Sequence, residues 1–328
     1  SPARKLLFSF LALFTFAAAP QAALRAQGAL TNGADHAGSI AVVDEVDTWT
    51  ISVTQNDYLY VRLAETFPTE VDPGFEPWMG IYDPNGVLLD SDWDYADARV
   101  EVSAAPISGT YTVVVSSYND GDTGDYLLRY AKIPGSFVVP GGDEGGALTN
   151  GADHDGTIEI GDIDRWTVQA SKDDYLYARV GEIFSGEVDP GFEPWIGIFD
   201  PNGALLDSDW DTLDARVAVA GAPISGTYTI MIVSYNDGDA GDYRLRLAKM
   251  PGEFTIPDGD EGGPMTNGAN HDGFITNGDL DTWTFQADKD DSIYLRLGEV
   301  IPGEVDPQFE PYLLLYGPDG TLLDSDWG

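Results

Sequence analysis

The chain contains no cysteine, so no disulfide can staple it and no thiolate can act as nucleophile or metal ligand. A module of ~100 residues still buries enough apolar surface to fold without cross-links. Basic residues are scarce. Sixteen Lys and Arg stand against 56 Asp and Glu, a formal net charge of −40. Nucleic acid and anionic lipid need a basic footprint and are poor partners for such a chain. Cations are natural ones. The acid excess has two open readings, solubility in salty surroundings and specific cation binding. Histidine is limited to His36, His154 and His271. With no second His or Cys beside any of them, a zinc set cannot be completed, and a structural hydrogen-bonding role is expected. No window sustains a 3.6-residue apolar period, which excludes a helical fold. The hydrophobic residues, 43% of the chain, are evenly spread and exclude disorder.

The only long apolar run is N-terminal. Arg4 and Lys5 precede residues 6–19, and small residues follow. This is the pattern of a secretory signal peptide, shorter than the ~20 residues of a membrane span. Residues 1–26 are expected to be a leader, cut between residues 19 and 26 and preferably after Leu24-Arg25-Ala26, leaving no membrane span. A retained anchor is the alternative.

What the chain has in abundance is repetition. Gly-Ala-Leu-Thr-Asn-Gly-Ala-Asp-His begins at Gly28 and again at Gly146, with a variant at Gly263. Trp49, Trp166 and Trp283 are 117 residues apart, as are Asp72, Asp189 and Asp306. A period this long is a whole domain rather than a solenoid unit. Each copy holds short alternating or apolar runs between turn residues, for example residues 48–53, 58–63 and 78–82, the last leading into Asp83-Pro-Asn-Gly86. Many short strands between Gly, Pro and Asn turns predict an all-β sandwich. The expected modules are residues 27–140, 141–257 and an incomplete 258–328. The connections Pro140-Gly-Gly-Asp143-Glu144-Gly-Gly146 and Pro257-Asp-Gly-Asp260-Glu261-Gly-Gly263 are read as flexible or sharply turned. Their acidic pairs could reach back to ligate a cation.

Asp47-Thr-Trp-Thr, Asp57-Tyr-Leu-Tyr-Val-Arg, Pro77-Trp-Met-Gly-Ile-Tyr-Asp-Pro-Asn-Gly, Ile107-Ser-Gly-Thr-Tyr-Thr-Val-Val-Val and Gly124-Asp-Tyr-Leu-Leu-Arg follow one another in an order and spacing that resembles the bacterial pre-peptidase C-terminal domain family. The resemblance covers nearly all of the first two copies and half of the third. It implies jelly-roll-like β-sandwich modules appended to secreted proteins, often peptidases. It also implies roles in secretion, surface attachment or substrate binding, and likeness to collagenase collagen-binding domains that hold calcium. The chain departs from the family pattern in carrying several modules and no peptidase signature.

Two acidic stretches are candidate calcium (Ca2+) sites. The first is Asp90-Ser-Asp92-Trp-Asp94, repeated as Asp207-Ser-Asp209-Trp-Asp211. Alternating carboxylates in a loop can converge on a hard cation that takes 6–8 oxygens. The spacing is not that of an EF-hand, because Tyr95 and Thr212 stand where its glycine belongs. The second is Asn119, Asp120, Asp122 and Asp125, echoed by Asn236, Asp237, Asp239 and Asp242. Both stretches also suit solvated turns. The Glu70-Val-Asp72-Pro-Gly-Phe-Glu76 loop is a weaker candidate, its Phe expected to pack beneath it. Trp49 and its repeats are expected in the core. Trp93, Trp210 and Trp327 lie in the acidic stretches, where a sugar ring could stack on one. No nucleophile sits in a Gly-x-Ser-x-Gly elbow, so no enzyme is expected within these residues. The sequence points to a secreted, non-catalytic array that binds an extracellular protein or polysaccharide or attaches to a surface. The alternative is the accessory region of a secreted peptidase or other hydrolase.

Overall fold

The computed structural model describes residues 24–66, 75–119, 121–183, 192–300 and 310–327. Most of the expected leader, Asp72, Asp189 and Asp306, and Asp120 lie outside the described residues. The first copy forms β1 (Leu24–Ala29), β2 (His36–Ile40), β3 (Val46–Val53), β4 (Tyr58–Glu65), β5 (Pro77–Tyr82), β6 (Leu88–Trp93), β7 (Asp97–Val102), β8 (Gly109–Ser117) and β9 (Gly124–Ile133). The second repeats them as β10 (Gly145–Ala147), β11 (His154–Ile158), β12 (Asp164–Ala170), β13 (Tyr175–Glu182), β14 (Pro194–Phe199), β15 (Leu205–Trp210), β16 (Asp214–Val219), β17 (Gly226–Ser234) and β18 (Gly241–Met250). In the third copy the described strands are β19 (Gly262–Pro264), β20 (Thr282–Thr284), β21 (Tyr312–Tyr316) and β22 (Leu322–Trp327).

The fold is all-β. One sheet of the first copy runs β1-β3-β8-β5-β6 and the other β2-β9-β4-β7; the second copy repeats both orders. In these two copies sequence neighbours alternate between the two sheets, apart from the hairpins β5-β6 and β14-β15, and every pair is antiparallel except β1 on β3 and β10 on β12. Eight antiparallel strands wound in this way are a jelly roll, with β1 or β10 added as a parallel edge. In the third copy the described sheets are the pairs β19-β20 and β21-β22, and among the described residues no strand lies between them as β8 and β17 do between their counterparts.

Alternation explains the cores. Trp49, Ile51 and Val53 of β3 face inward against Leu59, Val61 and Leu63 of β4, and Phe75 closes one end. Phe192 does the same in the second copy. Gly124 and Gly241 press on these rings; a Cβ at either would come within 2.6–2.7 Å of the phenyl group. Strand β4 is buried at all eight positions. Its inward residues belong to the first core. Its outward Tyr58 and Tyr60 form a separate apolar cluster with Ile163, Phe199, Met231 and Val233 of the second copy. The connection read as flexible or sharply turned is turned and then paired: Asp143 N–H donates to Pro140 O at 3.2 Å, and Gly145–Ala147 pair with Arg165–Thr167. The chain leading into it is also held. Val138 N–H donates to Asn32 O at 2.9 Å, the Asn32 amide donates to Lys132 O and Ser136 O, and Phe137 packs against the inter-copy cluster. The folded body also starts earlier than residue 27. Leu24–Ala26 pair with Val46–Thr48 in β1, inside the segment read as leader.

Candidate metal centre at the copy junctions

The pairing of β10 with β12 sets Gly145 opposite Arg165. It thereby lays Asp143 and Glu144 beside Asp164, the first residue of β12. Carboxylate oxygens of these three side chains lie within 4.8 Å of one another. Asp164 is 0% exposed. Its Oδ2 accepts the Tyr243 hydroxyl, which in turn accepts Trp166 Nε1–H at 2.9 Å. Its Oδ1 has no hydrogen-bond partner. Burial, and then the charge of Asp162, push the Asp164 carboxyl up to about 9. A buried carboxylate with an unsatisfied oxygen is costly unless a cation or proton joins it.

The third copy repeats the arrangement with Asp260, Glu261 and Asp281. Asp281 Oδ1 is likewise unpartnered, and burial followed by Asp260 and Glu261 push its carboxyl up to about 6. In the first copy Asp47 is fully buried, takes the Tyr126 hydroxyl at 2.6 Å and keeps an unpartnered Oδ1. Arg25 and Ala26 stand where the second copy has Asp143 and Glu144, so the acidic triad is missing. All donors in the two triads are carboxylate oxygens, which suits a hard divalent cation. Such an ion would neutralise a group that otherwise stays protonated.

The candidates drawn from the acidic stretches are placed differently. Asp90, Asp92, Asp207 and Asp209 sit on strands β6 and β15, not in loops. Asp90 Oδ2 accepts Glu101 N–H at 2.9 Å and Asp92 Oδ2 accepts Arg99 N–H at 3.0 Å. Asp207 and Asp209 do the same for Ala218 and Arg216. Asp94 and Asp211 accept the N–H two residues on, from Ala96 and Leu213. Strands β7 and β16 are sheet edges, so these carboxylates cap free backbone donors and tie one sheet to the other. The physical reason for the difference is that edge donors attract acids as readily as a cation does. In the second stretch, Asp125 and Asp242 lie on β9 and β18. Asp242 accepts Thr157 Oγ1–H at 2.7 Å, and Asp237 lies 3.4 Å from Arg99 of the first copy. Asn119 and Asn236 are exposed, while Asp122 and Asp239 are half-buried. Among the described residues the acidic groups that converge are the two junction triads. The linker acids were visible in the sequence as ligands; Asp164 and Asp281 were not, although each begins the same short motif that Asp47 begins. Substituting Asp207→Asn with Asp209→Asn is expected to cost about 1 kcal/mol, the net worth of exposed hydrogen bonds. Urea unfolding measures it; a loss above about 3 kcal/mol would point to a larger role.

Each histidine accepts a backbone N–H, from Thr31, Thr149 and Thr266 at 2.9–3.0 Å, and sets its ring against Trp49, Trp166 or Trp283. That is the structural role expected. Trp93 is 37% exposed and stacks on Tyr118 at 3.8 Å, itself 49% exposed, with Tyr95 at its edge. Trp210 and Tyr235 repeat the stack at 4.0 Å. The single aromatic expected per copy is therefore a pair.

No protein-family model and no curated protein matches the chain. Among solved structures it is similar to the pre-peptidase C-terminal domain of a collagenase from Bacillus anthracis, with 14% identity over 33% of this chain and 93% of that one and a TM-score of 0.26. It is similar to PliG, a periplasmic inhibitor of g-type lysozyme from Aeromonas hydrophila, with 12% identity over 34% of this chain and 99% of that one and a TM-score of 0.26. A secreted protein from Eubacterium rectale aligns at 10% identity over 68% of this chain and 75% of that one, with a TM-score of 0.22. Likenesses this remote do not bear on function. The all-β architecture rests on the chain's own sheets.

Proposed function

We propose that the chain is a secreted, non-catalytic array of pre-peptidase C-terminal-like sandwiches that attaches to an extracellular protein or polysaccharide, with calcium bound where one copy meets the next. The modules are residues 27–140, 141–257 and 258–328, the first extended by β1. One observation carries the reading: the acidic triad, with its unsatisfied buried oxygen, recurs at both inter-copy connections, and Arg25 and Ala26 replace its linker acids in the first copy. Asp143, Glu144 and Asp164 hold one ion, and Asp260, Glu261 and Asp281 the other. The stretches around Asp90 and Asp207 are the competing ligands. On the exposed surface the Trp93–Tyr118 pair offers a polysaccharide a stacking face.

Thermal unfolding of the whole chain in calcium, magnesium or chelator at matched ionic strength tests this. Extracellular sites bind calcium with dissociation constants of ~10⁻⁴–10⁻³ M, so millimolar calcium is expected to raise Tm by a few degrees. Magnesium should do less, because its small octahedral shell fits an irregular site poorly. Asp143→Asn/Glu144→Gln combined with Asp260→Asn/Glu261→Gln is expected to abolish the response, and Asp207→Asn/Asp209→Asn to leave it. The opposite pattern would return the ions to the acidic strands. Equal effects of calcium and magnesium would leave the acid as a solubility device.

A further inference from the structure

We propose that successive copies dock through one repeating head-to-tail interface, that a glycine at a close approach within it admits the neighbour, and that Asp44 closes the same face of the first copy to any further copy. The two junctions correspond contact by contact. Tyr58 meets Phe199 with ring centroids 4.6 Å apart, and 117 residues on Tyr175 meets Tyr316 at 4.8 Å. Arg129 Nη1 binds Asp162 at 2.7 Å, and Arg246 Nη1 binds Asp279. The carbonyl of Ile133 lies 2.4 Å from where a Cβ on Gly203 would stand; Met250 O lies 2.5 Å from that point on Gly320. Apolar contact, ion pair and backbone approach thus all repeat with the sequence period. An interface that repeats this way applies one fixed rotation and translation at each step. Copies joined so form a rod, whereas copies joined only by a glycine linker would tumble independently.

A second close approach, comparable to that at Gly203 and Gly320, is at Gly161 and Gly278. A Cβ on Gly161 would sit 2.4 Å from Ala64 Cβ, and one on Gly278 would sit 2.7 Å from Gly181 N. Both glycines have positive φ, 76° and 74°. The turn alone does not demand glycine, because Asp44 holds the same position in the first copy at φ 61°, a conformation that Asp tolerates. The neighbour demands it. Gly203 and Gly320 are uninformative by comparison, since Gly86 is kept at their place with nothing near it. The rest of the first copy's face has changed with Asp44. Tyr82 replaces Phe199, Ser116 replaces Val233, and Glu45, the counterpart of Asp162, is already bound to Arg25 at 2.7 Å. A polar terminal face is what a repeat array needs to stay soluble.

The absence of cysteine makes the test clean. In the full chain, nitroxide labels at Ser52→Cys and Gln169→Cys occupy equivalent exposed positions on β3 and β12. Dipolar EPR is expected to give one narrow distance distribution. Adding Gly161→Asp, which copies Asp44, is expected to broaden it several-fold. A second pair, Gln169→Cys with Ala218→Cys, reports on the interior of the second copy and should stay narrow. If that pair broadens too, Ala64→Leu places the bulk on the other side of the contact and gives the same reading. A broad distribution in the parent would overturn the rod. A narrow one that survives both Gly161→Asp and Ala64→Leu would overturn the gating role of the glycine and with it the closure by Asp44.

Discussion

Replacing Arg62 by methionine is expected to cost about 3–5 kcal/mol of stability, the range for breaking a buried ion pair from one side. Arg62 and Asp97 are both 0% exposed and their side chains are bonded to each other. Arg62 Nη1 also donates to Ser234 O of the second copy at 3.2 Å. Without the guanidinium, Asp97 keeps a buried charge with no counterion, and its Oδ1 already lacks a hydrogen bond. The Arg62→Met/Asp97→Val double variant is expected to recover most of the loss, because well-packed apolar residues replace a buried pair at little net cost. The corresponding Arg179–Asp214 pair is more exposed, so Arg179→Met should cost less. Urea unfolding of the full chain, followed by tryptophan fluorescence, measures all three. Equal losses for Arg62→Met and the double variant would mean that packing, not the stranded charge, carries the effect.

The second large effect is a pH dependence that calcium reverses. The Asp164 carboxyl is raised from an ordinary 3.8 to about 9, chiefly by burial. The folded chain therefore holds this proton where the unfolded chain has lost it. Stability from this group is complete below about pH 4 and drains away as pH rises toward 9. Each unit is worth about 1.4 kcal/mol, so the total is several kcal/mol. Asp281 should lose its share earlier, by about pH 6. With chelator present, Tm is expected to fall across this range. Saturating calcium holds the carboxylate ionised, so its stabilisation should grow with pH while protons are released on binding. The Asp164→Asn variant should show a flatter profile and a weakened calcium response. A chelated parent whose Tm is unchanged between pH 5 and 9 would show that Asp164 is not carrying a proton.

Much of the fold was readable because it rests on local signals. Alternation placed Trp49, Ile51 and Val53 on one face, and the Asp-Pro-Asn-Gly turns marked the hairpins. What escaped depends on partners distant in sequence. Asp90-Ser-Asp92 reads as a turn because Ser and Asp have low strand propensity. It is a strand because β5 pairs with it and β7 offers its edge N–H groups to the acids. The glycines around Asp143 leave a flexible and a sharply turned connection both open; the turn is fixed by the pairing of β10 with β12, which no local pattern reveals. Asp164 joins the acidic triad only through a parallel pairing, which leaves no mark in the spacing. One sign was available but unused. The run from Tyr58 to Glu65 is apolar on both faces, as strands covered on two sides are, and its second face is covered by another copy.

The shortage of basic residues acquires a geometric meaning from the junctions. Of the 16, Arg62, Arg99, Arg129, Arg165, Arg179, Arg216 and Arg246 all reach into an inter-copy contact or its connection. The positive charge is thus drawn to the seams, and the flanks that neighbouring molecules would meet are left anionic. Two such particles lying side by side repel along their whole length, while end-to-end cohesion within each is untouched. This lateral repulsion acts over a Debye length of ~10 Å at 0.1 M salt and shrinks to ~3 Å at 1 M, so the separation it imposes on crowded molecules is widest in dilute salt.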